Sequence, residues 1–163
     1  MQIFLNNMVT SINICLHLLA HGKTLPIISY GIDKIDTTKE LENKNIITID
    51  TQLDAGPHNL IIEFYNKTNS TPDMAVEIEQ ISFNNITLDR FKWAGKYYPT
   101  YPEPWASEQK DQLSPCLDNA TYMGWNGKWI LPFYTPIFSW IHSIDFLGWM
   151  YGLDESGQLK RIR

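Results

Sequence analysis

The sequence predicts an all-β chain, an antiparallel β-sandwich of jelly-roll type with an irregular, aromatic- and proline-rich C-terminal segment. Three observations predict it. Apolar residues recur with period two along the first 93 residues, the signature of strands with one buried face. Turn signals separate these runs about every 10–14 residues, the spacing of a sandwich or barrel. No amphipathic helix interrupts them.

Taken in order, S-I-N-I-C-L-H-L-L (11–19) places Ile12, Ile14, Leu16 and Leu18 on one face and Ser11, Asn13, Cys15 and His17 on the other. P-I-I-S-Y (26–30) and I-I-T-I-D (46–50) predict two short strands, and T-T-K-E-L-E-N-K-N (37–45) one polar turn. H-N-L-I-I-E-F-Y-N (58–66) turns Leu60, Ile62 and Phe64 inward. M-A-V-E-I-E-Q-I-S-F (74–83) does the same with Met74, Val76 and Ile78. Asn84-Asn85 makes a turn into a last strand, I-T-L-D-R-F-K-W (86–93). Residues 106–120 predict a short helix with Ser107 as cap, ending before Pro115. A second short helix is expected at 136–147, with Pro136 near its start. The sandwich is assigned to residues 1–121. Residues 122–163 are assigned to an aromatic segment of the same domain that contributes further strands, wraps the sandwich or serves assembly.

Composition narrows the function. A chain of 163 residues suits one domain with a real core. At 44% hydrophobic and 19% charged it is globular, and a net charge of −5 without a Lys/Arg run excludes nucleic acid as the expected partner. The N-terminus, M-Q-I-F-L-N-N-M-V-T-S, lacks the basic region of a signal peptide. The apolar stretch 129–151 is broken by Pro132, Pro136, His142, Asp145 and Gly148, which argues against a membrane span. Two distant cysteines, Cys15 and Cys116, neither demand nor exclude a disulfide, and no Cys/His cluster has zinc spacing. No GxSxG, HExxH, GxxxxGK[ST] or GxGxxG motif occurs, so no enzyme is expected.

Aromatic residues make up 13% of the chain and concentrate after residue 92. K-Y-Y-P-T-Y-P-E-P-W (96–105) carries three prolines and reads as a stiff extended loop, neither helix nor central strand. Its Tyr97, Tyr98, Tyr101 and Trp105, with the carboxylate of Glu103, form a candidate platform for a sugar or a protein partner. Flat rings held by prolines lose little entropy on binding, and intramolecular packing is the third use open to them. A lone Glu103 does not make a hydrolase, since glycoside hydrolysis needs two carboxylates. Trp125, Trp129, Phe133, Trp140 and Trp149 belong to a set of rings too many to leave exposed: either they cap the core or another subunit covers them, and these five are assigned to an assembly surface.

Two resemblances add to this reading. L-D-A-G-P-H-N-L-I-I-E-F-Y-N-K followed by T-N-S-T-P-D-M-A-V-E-I-E-Q-I-S-F-N-N-I (53–86) resembles the calcium-dependent, xylan-binding type of carbohydrate-binding module, a β-sandwich. In that family a strand ends in Asn-Asp, and Asp-Arg-Asn opens the next strand; their oxygens help hold a calcium ion that touches sugar hydroxyls. The resemblance implies that Asn66 and Asp73 are metal ligands. It departs at Lys67, which stands where the family has Asp, and at Met74 and Ala75, where it has Arg and Asn. Exchanging a carboxylate for an ammonium lowers the local negative charge by two units, so the scaffold is expected to outlast the metal site. Separately, K-W-A-G-K-Y-Y-P-T-Y-P-E-P-W (92–105) looks like small structural proteins of tailed bacteriophages, those of marine cyanobacteria in particular. The expectation is therefore a non-enzymatic virion component that contacts other virion proteins or itself, located in the virion and otherwise cytoplasmic. The alternative is a carbohydrate-binding module that stacks glycan on Tyr and Trp, with calcium as a possible cofactor.

Overall fold

A computed structural model describes residues 9–144, 151–153 and 155–161. Among the described residues, thirteen strands and two short helices are laid out as two antiparallel sheets packed face to face, with a separate terminal hairpin. The strands are β1 (Val9–His21), β2 (Ile27–Ile32), β3 (Thr37–Glu40), β4 (Lys44–Asp54), β5 (Gly56–Phe64) and β6 (Ala75–Phe83). Then follow β7 (Ile86–Thr87), helix α1 (Asp89–Trp93), β8 (Lys96–Pro99), β9 (Leu117–Asp118), β10 (Tyr122–Met123) and β11 (Gly127–Thr135). Helix α2 (Ile137–Ile144) precedes the hairpin of β12 (Tyr151–Leu153) and β13 (Leu159–Arg161). One sheet runs β10-β6-β1-β4, with β7 hairpinned onto β6; the other runs β3-β2-β5-β11-β8-β9.

The alternation read along β1 and β5 is the alternation observed. Ile12, Ile14, Leu16 and Leu18 pack with Leu60, Ile62 and Phe64 in one buried core. Along residues 74–83 the inward set Met74, Val76 and Ile78 gives way to Ile81 and Phe83. The cause is a bulge: His17 pairs with Gln80 but Leu18 pairs with Ile78, so Glu79 is an extra residue and every side chain beyond it changes face.

Several local expectations need correcting. Only Ile86–Thr87 of the predicted 86–93 strand pairs, closing a tight hairpin in which Asn84 and Asn85 both adopt positive φ (48° and 65°). Residues 89–93 instead turn into α1, which drops Phe91 edge-on onto Phe83 at 5.2 Å. Thr37–Glu40 is an edge strand on β2 rather than a polar turn, fastened by Ser29 Oγ and Thr38 Oγ1 at 2.9 Å. No helix forms in 106–120. Residues 103–108 make a chain of turns, and the capping group is the Glu103 carboxylate, which accepts from both the backbone N–H and the hydroxyl of Ser107.

The largest correction concerns the aromatic residues. Lys96–Pro99 is not loop but strand β8, interior to its sheet, because Pro99 sits at the strand end, opposite Gly127, where few further ladder bonds are needed. Nor do the sheets stop at residue 121: β10 joins the first and β11 lies between β5 and β8 in the second. Trp129, Phe133 and Trp140, assigned to an assembly surface, are core residues at 4% exposure or less. Trp129 donates its indole N–H to the Ala120 carbonyl at 2.8 Å, and a Cβ on Gly95 would collide with its ring. Helix α2 begins after Pro136 as expected and plugs one end of the sandwich. There Trp140 meets Phe83 (5.1 Å), Phe91 (5.5 Å) and Phe133 (6.1 Å). Trp149 lies outside the described residues. Cys15 and Cys116 are both free, and no helix among the described residues is long and apolar enough to cross a membrane.

Candidate functional site

Three segments far apart in sequence meet at one end of the second sheet. They are the β5–β6 loop (Lys67, Thr68, Asn69, Pro72), the chain leaving β8 (Thr100, Pro102, Trp105) and the approach to β11 (Trp125, Asn126). Together they line a cleft of about 440 Å³, within the usual range for small-ligand sites. One wall is aromatic. Trp105 and Trp125 lie 5.7 Å apart between centroids, inclined by 30°, and Tyr101 stands edge-on to Trp125 at 5.2 Å. The rest of the lining is largely polar and includes a single ionisable residue, Lys67.

The walls are fixed by hydrogen bonds. Asn126 clamps Lys67 from both ends, accepting its backbone N–H and donating to its carbonyl, each at 2.9 Å. The Lys67 ammonium donates to the Gly124 carbonyl at 2.6 Å. Burial pulls its pKa down, and the Asp73 carboxylate partly offsets this. Tyr97 holds Trp125 in place: its hydroxyl donates to the Trp125 carbonyl and accepts the Trp125 N–H at 3.0 Å. Burial raises the Tyr97 phenol well above its ordinary pKa, so it remains a donor at physiological pH. Tyr101 is tethered through its hydroxyl to the Ser114 carbonyl at 2.6 Å.

The five residues of the expected platform are thus divided. Tyr101 and Trp105 sit in the aromatic cluster, and Trp105 is 38% exposed. Tyr97 is buried at 1% and serves the site from within the core. Tyr98, its neighbour on β8, points to the opposite face and lines an adjoining groove with Tyr65, Lys128 and Ile130, which shares Thr100 and Asn126 with the cleft. Glu103 is occupied by Ser107 and does not line the cleft. Trp125, assigned to assembly, belongs to the site. Lys67, Thr68, Asn69, Thr100 and Asn126 were not recognised as cleft residues in the sequence. The nearest signal was the W-N-G at 125–127, where Gly127 has φ 152° and a Cβ would collide with the Tyr98 carbonyl.

The two residues that the resemblance implies as calcium ligands each accept a backbone N–H. Asn66 Oδ1 accepts the Ile27 N–H at 2.9 Å and Asp73 Oδ2 accepts the Lys23 N–H at 3.1 Å, so both side chains fasten the turns beside β2. Among the described residues no three acidic, His or Cys side chains gather closely enough to hold a metal ion. Calcium asks for six to eight oxygens, and Lys67 brings a positive charge to that loop instead.

No family model and no curated protein sequence matches the chain. Among solved structures it is similar to vCBM60 in its selenomethionine form, described in work linking two families of calcium-dependent carbohydrate binding modules by circular permutation. Identity is 15%, coverage 74% of this chain and 89% of that one, and the TM-score 0.52. It is also similar to vCBM60 in complex with galactobiose, at 13% identity, 73% and 96% coverage and a TM-score of 0.46. The fold is therefore the β-sandwich also found in a calcium-dependent carbohydrate-binding module.

Proposed function

We propose that this chain is a non-catalytic carbohydrate-binding module that takes a saccharide in the Trp105–Trp125 cleft without calcium. The observation that carries this reading is the prearranged Trp105–Trp125 pair in a cleft of about 440 Å³ whose other lining residues include Lys67, Thr68, Asn69, Thr100 and Asn126. Sugar rings offer apolar C–H faces and a polar rim, and a cleft of this make-up answers both. The lining holds no carboxylate, and hydrolysis of a glycosidic bond needs two. The likeness in fold to vCBM60, described among calcium-dependent carbohydrate binding modules, supports the carbohydrate-binding part of this reading. It favours glycan binding over the virion-assembly expectation, whose surplus of rings is largely absorbed by the core at Trp129, Phe133 and Trp140.

The test is a glycan array probed with the purified chain, repeated in excess chelator and with Trp105→Ala. Hits that survive chelation and vanish with Trp105→Ala are expected. Hits that need calcium contradict the metal-free reading, and hits indifferent to Trp105 contradict the site.

A further inference from the structure

We propose that the cleft selects acidic saccharides, chains bearing uronate-type carboxylates, with Lys67 as the anchoring cation; this rests on the glycan-binding reading of the same cleft. Three observations lead there. First, Lys67 is the one ionisable residue in the lining, and no acidic residue is among those that line the cleft. Glu103 is held by Ser107; the Asp73 carboxylate, which accepts the Lys23 N–H, lies outside the lining and acts on Lys67 more weakly than burial does.

Second, the ammonium is prepositioned. A lysine side chain ordinarily gives up considerable rotamer freedom on binding. Here the backbone of Lys67 is clamped twice by Asn126, and its ammonium already rests on the Gly124 carbonyl. Much of that ordering is complete before a ligand arrives.

Third, the contact partner of the ammonium is a carbonyl rather than a carboxylate. Its charge is hydrogen-bonded at contact but not neutralised there, and two N–H bonds are left for a ligand. Partial desolvation, seen also in the lowered pKa of Lys67, makes an added anion beside it more favourable than on an open surface. The overall charge of −5 does not oppose this strongly, since charges beyond roughly 8 Å are screened at physiological ionic strength.

The experiment compares matched pairs by calorimetry: oligogalacturonate against the corresponding galactose oligomer, and glucuronate-substituted xylo-oligosaccharide against the unsubstituted chain. The expected result is at least a ten-fold preference for the acidic member. Lys67→Met should reduce that preference to near unity, and Lys67→Arg should keep part of it. In wild type, 0.5 M NaCl should weaken acidic ligands toward the neutral level and leave neutral ones unchanged, a readout that needs no variant. Equal affinity within each pair, lost in Trp105→Ala, overturns the acidic preference and leaves the glycan reading standing. An acidic preference that persists in folded Lys67→Met, or that ignores salt, also overturns it. Binding of no saccharide overturns both.

Discussion

Tyr97 and Tyr98 are adjacent on β8 and face opposite ways, because successive side chains on a strand alternate. The sequence offered five platform residues in one loop, and that parity was invisible while residues 96–99 read as loop. What the local pattern showed was the presence of rings; which rings face water depended on β8 pairing with β11. The same limit applies to Trp125 and Trp129, four residues apart, one at the cleft and one fully buried. Tyr97 joins core to site through its hydroxyl, so it makes a selective probe. Tyr97→Phe keeps the ring but leaves the Trp125 N–H and carbonyl without their partner. It should cost about 1–2 kcal/mol of stability and weaken saccharide binding at the same time. Denaturant melts of the variant, read beside its binding isotherms, check this; a stability loss with unchanged affinity would separate Tyr97 from the site.

At the scale of elements, strands with a clean period of two were readable, and departures from it were not. Glu79 bulges because of how β6 meets β1, a pairing the 74–83 segment does not announce. Residues 89–93 leave the strand pattern for a helix because Phe91 finds its place against Phe83 and Trp140. The cleft was illegible for the same reason: its residues come from three loops, and sandwich topology alone brings Lys67 beside Asn126. The start of β11 gives a direct test of that topology. At Gly127 the backbone has φ 152°, with the Tyr98 carbonyl in close contact. Gly127→Ala should destabilise the domain by more than about 1 kcal/mol through strain and displacement of β8. Gly56→Ala, also at positive φ but in open space, should pay only the conformational part. Comparing their urea midpoints checks the difference.

At the scale of the molecule, two antiparallel sheets enclose one core, α2 closes one end, and the cleft is built from loops on the second sheet. Stability should carry a mild pH signature. Burial lowers the pKa of His58, but its hydrogen bond to Asp33 (2.6 Å) and its contact with the Asp54 carbonyl (2.7 Å) outweigh this and leave it raised. A raised histidine contributes stability that is complete below the unfolded value near 6.5 and lost as pH rises through the folded value. The melting temperature should therefore fall as pH climbs from about 6 to 8, and Asp33→Asn should flatten that slope. A wild-type slope of the opposite sign would refute the assignment. The central claim, that the Trp105–Trp125 wall grips saccharide without metal, is tested most directly by calorimetric titration of the best array hit into wild type and Trp105→Ala, both in chelator. The account predicts a saturable isotherm for wild type and a loss of about 2 kcal/mol, roughly thirty-fold, for the variant. Identical isotherms for the two proteins, or wild-type binding that appears only when calcium is restored, would contradict it.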